Sequence, residues 1–133
     1  MARIILEPSR GHRVDIVPHP AGKRLFLKFA DSAPEEVELL HVKWSGDALF
    51  FVHTLPVVPT SDELTGTLDP GSFAYFPDLG EFILAYGEAS PRDKRGNIEV
   101  ARVGTVTAPE ALVPMGKRIW RHGMEAARVR VEP

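Results

Sequence analysis

The sequence predicts a mostly β protein, a closed antiparallel eight-stranded barrel with two capping helices. Three observations carry that prediction. Short segments with strand character recur between turn signals spaced by roughly 8–12 residues. No regular strand–helix–strand alternation and no internal repeat is present, which argues against a layered parallel sheet. The stretch Asp69–Gly87 reads as a hairpin whose two arms are both too apolar for a solvated ribbon. Its first arm is Phe73–Phe76 and its second Phe82–Tyr86, with Pro77–Gly80 supplying the reversal. The chain of 133 residues fits one domain, 1–133, large enough to bury a full core without a metal or a crosslink.

The elements follow in order. Arg3–Glu7 is a first strand, and Arg13–Val17 alternates polar with apolar as a strand with one face in the core does. Pro18-His19-Pro20 interrupts it, since proline donates no ladder hydrogen bond. Lys23–Phe29 is a third strand candidate. Asp31 and Ser32 then read as helix caps, Pro34 as a first-turn residue, and Glu35 and Glu36 as charges suited to the positive end of a helix ending near Lys43. Ser45-Gly46-Asp47 is a turn. Ala48–His53 is a strand apolar on both faces, as in a covered wall. Val57–Asp69 is the longest irregular stretch, and Ser90–Asn97 a second polar loop. Ile98–Val106 alternates as a strand. Thr107 caps a second helix with Pro109 and Glu110 in its first turn. Ala111, Leu112, Met115, Ile119 and Trp120 face the core, and Gly123 ends the helix. Ala127–Val131 is the last strand.

The order of these segments resembles the cyclophilins. Gly22–Val37 is similar to their strand-to-helix signature, including Phe29-Ala30-Asp31 and Pro34. Pro70-Gly71, then Gly80–Leu84, then Val103–Val106 followed by a helix and a final Val-Arg-Val strand, keep the family's order. Trp44-Ser45-Gly46 and Gly71–Pro77 bring the chain nearer to small bacterial and archaeal cyclophilin-like proteins of unknown function. The resemblance implies the eight-stranded barrel and an outer groove. In cyclophilins an arginine in that groove weakens the prolyl amide's resonance and so lowers a rotation barrier of about 18–20 kcal/mol. Here the corresponding strand is Phe50-Phe51-Val52. No arginine or lysine occurs from Trp44 to Pro91, and Glu81 stands in place of the family's glutamine. A competent prolyl isomerase is therefore not expected.

What the residues suggest instead is a binding domain. Trp44, Tyr75, Phe76, Pro77, Glu81 and Ile83 are the candidate ligand-binding residues, and a small molecule or short peptide the expected ligand. The alternative is an enzyme of another class in which Glu81 or Asp78 acts as base, or residual isomerase activity. The absence of cysteine removes disulfides and thiolate metal sites. His12, His19, His41, His53 and His122 share no metal-ligand spacing, so no metal and no cofactor is expected. No glycine-rich phosphate loop and no Gly-x-Ser-x-Gly nucleophile motif is present. Apolar runs are too short to cross a bilayer, and Met1–Glu7 lacks the apolar length of a secretion signal. The expectation is a cytoplasmic protein without membrane or nucleic-acid partners, with a homo-oligomer as an open option. Arg92–Arg130 holds nine basic residues against four acidic ones, and the acidic middle of the chain is expected to pair with it.

Overall fold

A computed structural model describes residues 2–133; Met1, the first residue of the segment inspected for a secretion signal, lies outside the described residues. Eleven strands form: β1 (Arg3–Pro8), β2 (Val14–Pro18), β3 (Glu36–His41), β4 (Gly46–Val52), β5 (Leu64–Thr65), β6 (Ser72–Phe76), β7 (Glu81–Ala89), β8 (Arg92–Asp93), β9 (Gly96–Asn97), β10 (Val100–Val106) and β11 (Met124–Glu132). Eight of them close a cylinder in the order β2-β1-β11-β3-β4-β7-β6-β10, sealed by the β10–β2 pairing. All these pairings are antiparallel. β10 pairs with β5 at Val100–Ala101 and with β2 at Gly104–Val106, and its register against β6 shifts between Arg102 and Gly104. β8 and β9 form a separate two-stranded hairpin. The predicted barrel is thus observed, with helices α1 (Lys23–Ser32) and α2 (Leu112–His122). Neither helix is long and apolar enough to cross a membrane.

Two predicted elements exchange places. Lys23–Phe29 is helix rather than strand, and Glu36–His41 is strand rather than helix. Strand spacing would put Leu25, Leu27 and Phe29 on one side. Instead Leu25, Phe26 and Phe29 are buried and Leu27 is 57% exposed, the spacing of a helical stripe. Asp31 and Ser32 lie in the last turn of α1, where the Ser32 hydroxyl donates to the Lys28 carbonyl. Ala33 precedes Pro34, which disfavours helical geometry there, and it takes an extended backbone with ψ 130°. Beyond it Val37 and Leu39 point inward while Glu36 and Glu38 are exposed, a period of two. The cyclophilin-like strand-to-helix signature is therefore helix followed by strand.

The hairpin of β6 and β7 is as expected, with Gly80 at φ +62° in the reversal. α2 is entered through a short 3₁₀ turn, Pro109–Ala111, without a side-chain cap from Thr107. Leu112, Met115, Gly116 and Ile119 are its buried residues, and Trp120 is 67% exposed rather than in the core. Gly116 is required by contact, since a Cβ there would lie 2.3 Å from the Tyr86 ring. The N–H of Gly123 donates to the Ile119 carbonyl and ends the helix at φ +101°.

Charge pairing also differs from expectation. Only Arg95–Asp78, 3.4 Å apart and exposed, joins the basic end to the acidic middle among the described residues. Arg118 pairs with Glu125 beside it, Arg130 with Glu7 and Glu132, and Glu63 with Arg24. The Arg24–Glu63 pair fastens the long loop: Glu63 also accepts from the Thr60 N–H, and Arg24 donates to the Val58 carbonyl.

Strand alternation sorts the apolar residues into two clusters. Leu49, Phe51, Phe73, Tyr75, Phe82 and Leu84 face the interior with Phe29 of α1. Ala48, Ala74, Phe76, Ile83 and Ala85 face outward, packed with Phe50, Val42 and Ile98. The double-sided apolar character of Ala48–Val52 follows from this second cluster, which lies outside the barrel wall.

Candidate functional site

The outer cluster is incompletely covered. Above it the wall of β3, β4, β7 and β6 opens into a hollow of about 290 Å³. Its apolar surface comes from Leu40, Phe50, Phe76 and Ile83, which period-two alternation turns away from the interior, and from Val42 and Ile98 just beyond the strand ends. Trp44, on the β3–β4 turn, and Leu79, on the β6–β7 turn, stand at the rim and are 58% and 60% exposed. Pro91, Arg92 and Asp93 close a further side from the β8–β9 hairpin. That hairpin is tied to the β3–β4 turn at Ser45. The Arg92 N–H donates to Ser45 Oγ at 3.0 Å, and the Ser90 N–H to the Ser45 carbonyl at 2.8 Å.

Glu81 is the acidic group of the hollow on the barrel wall itself. It opens β7, opposite Phe76 of β6 and Val52 of β4. Partial burial among apolar neighbours pushes its carboxyl above the ordinary carboxylate range, and desolvation is the cause. Asp93 is different, because Arg95 donates to it from both backbone and guanidinium and holds its carboxyl below the usual value.

His41 borders the same hollow. Its Nδ1 lies 2.7 Å from the Val42 carbonyl, which can only accept, so Nδ1 carries the proton. Nε2 then accepts from the Tyr86 hydroxyl at 2.7 Å. Tyr86 in turn has its phenol pushed up by burial and by nearby Asp47. Trp120 meets the His41 ring edge-on at 4.6 Å.

Of the residues singled out in the sequence, Trp44, Phe76, Glu81 and Ile83 come together here. Pro77 lies instead in a neighbouring, more open depression of about 510 Å³, with Asp78 and Arg95, that shares Phe76 and Ile98 with the first. Tyr75 is misplaced by the sequence reading. It points into the barrel, 1% exposed, where its hydroxyl accepts from the Leu55 N–H at 2.9 Å. Asp78 does not approach Glu81 in a shared site; it faces Arg95. The β8–β9 hairpin brings Arg92 into the lining of the hollow and Arg95 into that of its neighbour, arginines from outside the Trp44–Pro91 stretch that has none. His41, Phe50, Leu79 and Ile98 were not singled out. For Phe50 the signal was present, since outward residues of β4 had to meet something.

Fold and hollow define an eight-stranded closed barrel with an apolar recess on its outer wall. No family model matches the sequence, and no curated protein does. Solved structures share the fold. McbB in complex with tryptophan superposes with a TM-score of 0.75 at 19% identity, over 96% of this chain and 44% of that one. The solution structure of the hypothetical protein AF2241 from Archaeoglobus fulgidus does so with a TM-score of 0.60 at 14% identity, over 96% of this chain and 92% of that one. The chain therefore spans less than half the length of McbB. At these identities the likeness is one of fold.

Proposed function

We propose that this barrel binds a small organic molecule in the outer-wall hollow, its apolar body against Phe50, Phe76 and Ile83 and a cationic or donor group at Glu81. The observation that carries the reading is a partly buried carboxylate, raised by desolvation alone, in an apolar recess. Such a group is destabilised as an anion until a ligand brings it a positive partner. The volume, about 290 Å³, is at the small end for ligand sites and favours a small metabolite over a peptide. That a neighbour of the same fold was solved with tryptophan supports a ligand of this make-up. Calorimetry with a panel of apolar amines tests it. Micromolar to millimolar binding that weakens about tenfold in Glu81→Gln is expected; unchanged affinity in that variant counts against the role of Glu81.

The raised Glu81 carboxyl also favours a second reading, an enzyme using Glu81 as general base, because a base poised nearer neutrality is the more effective one. Turnover in a metabolite screen that is lost in Glu81→Gln is its sign. Whichever holds, prolyl isomerisation stays within about tenfold of the uncatalysed rate. β4 carries Phe50-Phe51-Val52 and no arginine, and Arg92 joins the lining from a different element, the β8–β9 hairpin. Efficient turnover of a standard proline peptide would refute this.

A further inference from the structure

The hollow continues past Phe76. Phe76 and Ile98 line both it and the neighbouring depression of about 510 Å³, so the two spaces meet across an apolar partition. The other apolar residues of that depression are Val58, Pro59, Leu64 and Pro77. Its walls are anchored. Arg24 donates to the Val58 carbonyl at 3.0 Å while its guanidinium holds the buried Glu63 carboxylate through two hydrogen bonds. Leu64 pairs with Ala101 of β10, and the Ile98 N–H donates to the Pro91 carbonyl at 3.0 Å. Among the described residues Arg95 is the one cation of this lining, and Asp78 and Asp93 take it up, so it does not oppose a bound ammonium.

Glu81 stands beside that partition. It is directly opposite Phe76 in the β6–β7 pairing. Opposite residues of an antiparallel pair share a face, with Cα atoms about 4.5–5.5 Å apart. An ammonium held by Glu81 therefore lies next to the ridge between two apolar spaces rather than at the far end of one. We infer that the ligand is a secondary amine with an apolar arm on each side of its nitrogen, one in the hollow and the other across Phe76 in the neighbouring depression. The hollow alone is small for a ligand site, and the two spaces joined fall in the ordinary range. A primary amine fills only one of them. A second wall already held in place by Arg24 and by β10 takes up a further arm at little ordering cost. The inference rests on the proposed binding at Glu81 and adds to it the second subsite and the substitution on nitrogen.

The test uses the intact chain with three probes: benzylamine, N-methylbenzylamine and dibenzylamine. The methyl probe separates substitution on nitrogen from occupation of the second space. Calorimetry is expected to show dibenzylamine about tenfold tighter than N-methylbenzylamine, as burial of a second ring implies. Amide chemical-shift changes at Val58, Leu64 and Asn97 should appear with dibenzylamine only. Val58 is 83% exposed, so the fold tolerates its replacement. Val58→Ser should weaken dibenzylamine about threefold and leave N-methylbenzylamine unchanged. Arg24 is a positioning residue here, and Arg24→Gln should give the same split between the two probes by releasing the Val58 wall. Dibenzylamine no tighter than N-methylbenzylamine, or shifts that stay within the hollow for every probe, overturns the second subsite and leaves the hollow and Glu81 as proposed. Failure of all three probes to bind overturns both.

Discussion

The same strands build two apolar regions that differ in what they tolerate. Inside the barrel, Phe29, Phe51, Phe73 and Phe82 meet ring to ring at 4.6–6.1 Å, and Tyr75 closes the group with its hydroxyl satisfied by Leu55. Outside, Phe50, Phe76 and Ile83 lie one residue away in sequence but are met by a recess, with exposed Trp44 and Leu79 at its rim. The inner region is filled and serves stability. The outer one is left partly open, and a protein gains nothing in stability from an uncovered aromatic surface. Period-two alternation lets one β-strand serve both purposes without compromise, because neighbouring side chains never share a face.

That contrast can be broken or sharpened by substitution. The largest effect belongs to the inner region: Phe82→Ala should cost about 3–5 kcal/mol in urea unfolding, as removal of a fully buried ring does. Phe50→Ala should cost less, about 2 kcal/mol, because that ring is only half-buried at the recess, yet it should remove ligand binding. If the two variants lose equal stability, the division fails. Tyr75→Phe isolates the residue that the sequence reading assigned to the wrong side. It leaves the buried Leu55 N–H without an acceptor, so a loss of about 1–3 kcal/mol is expected, with ligand affinity unchanged in calorimetry.

The two perturbed glutamates give a smaller, pH-dependent contrast. Glu81 has a raised carboxyl, so the folded state holds its proton to higher pH than the unfolded chain. Stability should therefore fall as pH rises from the ordinary glutamate value through the raised one, and Glu81→Gln should flatten that limb. Glu63 has the opposite sign. Hydrogen bonding from Arg24 lowers it, so its contribution is complete above the ordinary value and is lost as pH falls through the lowered one. Unfolding midpoints measured from acid to neutral pH on Glu81→Gln and Glu63→Gln check the two directions. The smallest effect is at the surface: Arg95→Ala breaks exposed pairs with Asp78 and Asp93 and should leave the unfolding midpoint unchanged within measurement error.

Alternation made much of this legible in the sequence. It separated Phe73 and Tyr75 from Ala74 and Phe76, and it marked Ala48–His53 as apolar on both faces. It did not say which face was the interior, which is why Tyr75 and Phe76 were grouped in one site. Leu25-Phe26-Leu27-Lys28-Phe29 satisfies a strand and a helix pattern about equally, and the long-range packing of Phe26 and Phe29 under the barrel decides between them. Arg92 was invisible as a site residue for another reason. Its place depends on the β8–β9 hairpin folding back to Ser45, a contact 47 positions away in sequence that no local pattern encodes.

Sealing β10 to β2 has a consequence for how the protein behaves in a crowded solution. Each strand of the cylinder has a neighbour on both flanks, and the pieces left with one flank bare, β5, β8 and β9, are two residues long apiece. A foreign strand finds little backbone on which to template itself. Self-association into fibrils would have to wait for the whole cylinder to come apart.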